Sequence, residues 1–179
     1  TGGFTDVCLR RGASLVYALD VGHDQLHERL RSDPRCVNME GRNARALRAD
    51  WFPRPISFIC MDVSFISCRT LLSVIAKELP KTEAVILIKP QFEAGREKVG
   101  KKGVVRDPAV HLEVIEKVIA YASSIALEPR HLSFSPIKGP EGNIEYLLHL
   151  KKRPEGEVIE SSLEAEPEQV VREAHDQLD

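Results

Sequence analysis

Aromatic side chains are scarce in this chain, at 6% of the residues. No apolar run approaches the roughly 20 residues that a membrane-spanning helix requires. The opening Thr1-Gly2-Gly3-Phe4-Thr5-Asp6 has no basic stretch ahead of an apolar core, so it is not a secretory signal. The four cysteines (Cys8, Cys36, Cys60, Cys68) form no C-x-x-C pair and have no histidines at ligand spacing. That excludes a zinc site, and no metal is expected. Cys60 lies in the apolar run 56–61, which reads as a buried strand. Reduced thiols in a cytoplasmic protein are the expectation.

What is present suits one α/β domain. A chain of 179 residues with 42% apolar content can bury a substantial core. The net charge of −2 conceals an asymmetry. From Pro154 onward there are 9 acidic residues against one basic residue, Arg172, which leaves 24 basic and 18 acidic side chains before it. A basic body with an acidic tail fits a phosphate-bearing partner, and it also fits a solvated surface.

Strand-like apolar runs alternate with helical patterns, which predicts a mostly parallel sheet covered by helices on both faces. The strands are expected at 15–19, 36–39, 56–61 and 83–88, with a closing pair, 131–136 and 144–150, that reads as antiparallel. Helices are expected at 4–11 and 23–31. Another should follow Ser67 as N-cap, carrying Leu71, Leu72, Ile75 and Leu79. Asp107-Pro108 is an N-cap followed by proline at the first helical position, and Val110, Val114, Ile115, Val118, Ile119 and Ala122 line one face behind it. Residues 91–106 read as a long polar loop, a kind that is often functional. Residues 154–179 read as a loosely held acidic tail with one short helix after Pro167, on which Val170, Val171, Ala174 and Leu178 form a possible docking stripe.

Four features fall at the carboxyl ends of strands or in glycine turns, where such folds place their sites. Gly2 and Gly3 enter a helix through a turn that would let a ligand approach the backbone, although an ordinary turn has the same composition. Asp20 ends the strand at 15–19, 17 residues beyond Gly3. It is placed either to accept from ribose hydroxyls or to cap the next helix. Asp62 and Lys89 each terminate an apolar strand and would share one edge, unless they form a plain surface pair. Gly139-Pro140-Glu141-Gly142-Asn143 builds a tight loop ahead of Glu145, which reaches that edge only if its strand runs in reverse.

Taken together, the strings TGGFTD, ALDVG, MDVSFIS, IKPQFEAG, KKGVVRD and SPIKGPEGNIE make the chain resemble the TlyA, or hemolysin A-like, branch of the FtsJ-like RNA methyltransferases. The likeness runs from Thr1 to about Leu150. It implies a Rossmann-like class I methyltransferase fold with one antiparallel strand, and 2′-O-methylation of ribosomal RNA or ribosomal subunits with S-adenosylmethionine as donor. The family's Lys-Asp-Lys-Glu tetrad falls on Asp62, Lys89 and Glu145 for its last three members. Its first lysine, the first strand and the family's small RNA-binding domain would lie upstream, so the chain is expected to be a fragment. By the same likeness, Gly2, Gly3, Phe4, Asp20 and Asp62 would contact the donor.

A methyltransferase domain over residues 1–153 is therefore expected, with the tail at 154–179. Lys89 would activate the ribose hydroxyl, and Asp62 and Glu145 would orient it. Arg96, Lys98, Lys101, Lys102 and Arg106 would meet RNA phosphates, if their loop is not simply solvated. The competing expectation is a protein without chemistry on the same fold, RNA-binding or membrane-acting in the hemolysin sense. No amphipathic or apolar segment supports a pore, so stable membrane association is not expected.

Overall fold

The structure, a computed structural model, describes residues 2–153, 163 and 165–179. They form two compact units, Thr1–Trp51 and Phe52–Asp179. In the first unit, α1 (Gly3–Arg10) leads into β1 (Val16–Asp20), then α2 (Glu28–Arg31) and β2 (Cys36–Glu40). β1 and β2 pair in parallel, with Val16 opposite Cys36 and Asp20 opposite Glu40. Leu9, Leu26, Leu30 and Cys36 form a small core on which Val16 and Ala18 pack. The helix expected over 23–31 is confined to its last four residues. Upstream, the Gln25 amide donates to Glu40 Oε2 at 2.6 Å and Asp24 is left-handed (φ 57°), so the backbone is satisfied outside a helix.

The second unit holds a four-stranded sheet in the order β3-β4-β6-β5, made of β3 (Phe58–Met61), β4 (Glu83–Ile88), β5 (Leu127–Phe134) and β6 (Tyr146–Lys152). β3 and β4 are parallel, and β6 is antiparallel to both β4 and β5. One reversed strand in an otherwise parallel set is therefore the observed architecture. β4 alternates, with Ala84, Ile86 and Ile88 buried and the residues between them half-buried. Leu148 and Leu150 of β6 bury the same face. Each such aliphatic side chain contributes about 1.5–3 kcal/mol.

α3 (Cys68–Glu78) begins where Ser67 Oγ accepts from the Arg69 amide, and α5 (Pro108–Ser124) begins where Asp107 accepts from the Ala109 amide. Both caps were legible in the sequence. β5 starts earlier than the sequence suggests. Pro129 lies inside it beside a register shift, a position an edge strand tolerates.

Residues 91–106 are not a structureless loop. They hold a one-turn helix, α4 (Pro90–Glu93), and two 3-10 turns, Arg96–Lys98 and Lys101–Gly103. Turns this short leave no apolar periodicity to detect. Val104 and Val105 are buried behind them. Over Pro167–Leu178 the docking stripe forms, rather than a loosely held tail. That segment is α6, docked on α5 and β5 with Val170, Val171 and Ala174 buried. Three apolar residues on one face are enough to dock a helix whose other faces are charged. The first part of the tail, 154–162 with 164, lies outside the described residues, as does Thr1.

Candidate active site

Strand pairing brings three distant side chains together. Met61 is opposite Ile86 across β3 and β4, so Asp62 and Lys89 both leave the sheet at its carboxyl edge. Ile88 is opposite Tyr146 across β4 and the reversed β6, which sets Glu145 beside Lys89. The Lys89 amine lies 2.5 Å from Asp62 Oδ1, 3.3 Å from Ser64 Oγ and 4.0 Å from Glu145 Oε2. The lysine and Glu145 side chains are mostly buried, at 12% and 13% exposure, whereas Asp62 is half exposed at 49%. An amine this enclosed between two carboxylates is more than a surface pair, which would be worth little.

Local chemistry explains how each group is held. Lys89 is extended (φ −109°) as the N-cap of α4, and Pro90 occupies the first helical position. Gly139 makes room for Glu145: a β-carbon there would lie 3.2 Å from Oε2. Gly142 closes the loop with φ 94° and donates to the Gly139 carbonyl. Gln91 Nε2 donates to Glu145 Oε2 at 3.3 Å. Buried Asn143 accepts from the Val105 amide and donates to the Gly103 carbonyl, both at 2.9 Å. It thereby ties the Glu145 loop to the basic segment.

Sequence reading did not single out Ser64, Gln91, Glu93, Asn143 or Phe65. Phe65 is 87% exposed, adopts φ 68° and sets its ring 5.0 Å from that of Phe92. A bulky residue in the left-handed region is strained, and such strain gathers at functional sites. Its position three residues after Asp62 was the available signal.

The basic residues divide. Arg96, Lys101, Lys102 and Arg106 are exposed. Lys98 is paired with Glu113 of α5 at 2.6 Å, and the hydrogen bond between them raises its pKa and lowers that of the glutamate.

In the first unit, Gly2 caps α1 in the left-handed region (φ 90°). A β-carbon there would collide with Leu26 and Leu30 at 2.6 Å, so its glycine has a packing reason. Gly3 faces open space. Phe4 is half-buried on α1. α1 packs against β1. Asp20 is exposed, and its Oδ1 accepts from the Gly22 amide at 2.9 Å. It does not cap α2, because His27 Nδ1 accepts from the Arg29 amide there. Beyond the strand ends an open concavity of about 470 Å³ is lined by His23, Asp24, Arg31, Asn38 and Glu40.

All four cysteines are thiols, with Cys36 and Cys68 buried. Among the described residues no group of histidine, cysteine and acidic side chains could hold a metal, and no helix is long and apolar enough to cross a membrane.

Residues 1–152 match the model of the FtsJ-like methyltransferase family. Among curated proteins, the chain is 49% identical over 180 residues to a candidate rRNA methyltransferase, YqxC, of Bacillus subtilis. It is 39% identical over 165 residues to the 16S/23S rRNA (cytidine-2'-O)-methyltransferase TlyA of Mycobacterium tuberculosis. The matches take in 99% and 92% of this chain but only 64% and 62% of those relatives. A crystal structure of a candidate hemolysin from Lactococcus lactis superposes with a TM-score of 0.89 at 47% identity, covering 97% of this chain and 82% of that one.

Proposed function

The chain belongs to the FtsJ-like methyltransferase family, and from that premise we propose that the protein methylates ribose 2′-hydroxyls of ribosomal RNA, with Lys89 activating the hydroxyl. One observation carries the reading: the Lys89 amine is enclosed between the Asp62 and Glu145 carboxylates at one sheet edge. A ribose hydroxyl is a poor nucleophile until its proton is taken or the charge on its oxygen is stabilised. The amine supplies that help. The two acids fix where it points, and Ser64 adds a third anchor. Relatives named as rRNA methyltransferases support RNA as the substrate. The exposed ring of Phe65 supports it too, since an unstacked base can lie on such a face. Arg96, Lys101, Lys102 and Arg106 would take the phosphates.

S-adenosylmethionine is the donor this family implies, and the first unit has features that fit it. Asp20 ends its strand with an exposed carboxylate, and Gly3 presents backbone with open space where a side chain would stand. Asp20 would hold the donor's ribose. Gly2, Gly3 and Phe4 would border its methionine end. When bound, the donor supplies a methyl group on a sulfonium. The place of action would be the cytoplasm, where ribosomal subunits are found.

The test uses the full-length protein, isolated ribosomal subunits and labelled donor, with the modified nucleotide mapped. Lys89→Ala should lower turnover at least about 100-fold while donor affinity stays within a few-fold. Asp20→Ala should weaken donor binding first. Turnover by Lys89→Ala equal to wild type would refute the mechanism. Binding to subunits without any methyl transfer would favour a non-catalytic RNA-binding protein.

A further inference from the structure

Three consecutive residues of α4 reach three different neighbours. Gln91 meets Glu145, and Phe92 meets Phe65. Glu93 turns toward the start of α3, where its Oε1 accepts from the Cys68 amide and its Oε2 from Ser67 Oγ, both at 2.7 Å. Its side chain is only 3% exposed, with Arg69 Nε 3.7 Å away. The surroundings are dry: burial, helped by the adjacent Glu93 carboxylate, pushes the Cys68 thiol well above its usual range. Glu93 lies four residues after Lys89, and Ser67 lies five after Asp62. One buried carboxylate thus ties the segment that carries Asp62 to the turn that Lys89 begins.

The bonding demands an acid. Ser67 Oγ already accepts from the Arg69 amide and from Arg69 Nε, both at 3.1 Å, so both of its lone pairs are engaged and its hydrogen is directed at Glu93. The Cys68 amide can only donate. Both oxygens of residue 93 must therefore be acceptors, and a glutamine of the same shape would set an NH2 against one of two donors. A buried donor left without a partner is costly, so the segments would separate.

We infer that Glu93 is a positioning residue for methyl transfer, holding Asp62 against the Lys89 amine through the start of α3. This rests on the proposed role of Lys89, and the experiment separates the two. Full-length wild type, Glu93→Gln, Ser67→Ala, the double variant and Lys89→Ala are compared in methyl transfer to ribosomal subunits. Calorimetric titration with S-adenosylmethionine counts folded molecules. Displacing a reacting group by about 1 Å can cost 100-fold, so Glu93→Gln should lower kcat at least about 10-fold per donor-binding molecule. The KM for RNA and the donor Kd should stay within about threefold. Ser67→Ala should lower kcat by a smaller factor, about three- to tenfold. The double variant should be no worse than Glu93→Gln within about twofold, since both act on one link.

A Glu93→Gln enzyme with kcat within twofold of wild type, beside an inactive Lys89→Ala, would overturn the inference alone. So would a loss wholly explained by fewer donor-binding molecules. If Glu93→Gln yields no folded protein, Ser67→Ala decides: normal turnover there overturns the inference. Normal turnover by Lys89→Ala would remove the proposed function, and this inference with it.

Discussion

Docking of α6 can be tested at a single side chain. Val171 is 3% exposed on a helix packed against α5 and β5. Val171→Ala removes two methyl groups, worth about 0.8 kcal/mol each in transfer, and the cavity left behind adds to the loss, for roughly 2 kcal/mol in all. Alanine is the better helix former by about 0.5 kcal/mol, which offsets part of this and leaves a net loss near 1.5 kcal/mol. For a chain of 179 residues that lowers Tm by about 3–6 °C. Gln177→Ala, on the exposed side of the same helix, should stay within about 0.5 kcal/mol. Urea unfolding followed by circular dichroism measures both variants, with calorimetry for Tm. Equal stabilities for Val171→Ala and Gln177→Ala would show that the helix is not docked in solution, as the acidic composition of the tail first suggested.

Two further outcomes follow from the charges. His111 is fully buried, and its pKa lies below the ordinary 6.5 because burial disfavours the cation and His175 sits against it, although the Val105 carbonyl, Asp179 and Asp107 pull the other way. The unfolded chain therefore takes up a proton that the folded chain refuses. Stability from this group is full above about pH 6.5 and is lost as pH falls below it, by up to about 1.4 kcal/mol per pH unit. The fall in Tm from pH 7.5 to 5.5 should shrink in His111→Gln, and an unchanged fall would exclude His111 as its source. Replacing Lys101 and Lys102 together by alanine should reduce the salt dependence of RNA binding by a log–log slope of about 1.4–1.8. Lys98→Ala should change it less, because Lys98 is already paired with Glu113, and an equal change would show that this pair opens on RNA.

Much of the site could be read along the chain because its elements carry their own boundaries. The apolar run Glu83–Ile88 stops at Lys89-Pro90, Ser67 and Asp107 cap the helices behind them, and Asp20 ends its strand. These are consequences of backbone chemistry within a few residues. Side-chain period and proline geometry are local, so sequence alone carries them. What tertiary structure decided is which distant groups meet. Glu145 reaches Lys89 because β6 runs in reverse with Ile88 opposite Tyr146 and because Gly139 leaves room. Glu93, an unremarkable acid in a polar stretch, becomes the acceptor for two donors 25 and 26 residues away. α6 docks although its composition is acidic, because three buried side chains outweigh charges that stay in water. Such pairings depend on sheet register and on burial, which arise only once the chain has closed on itself.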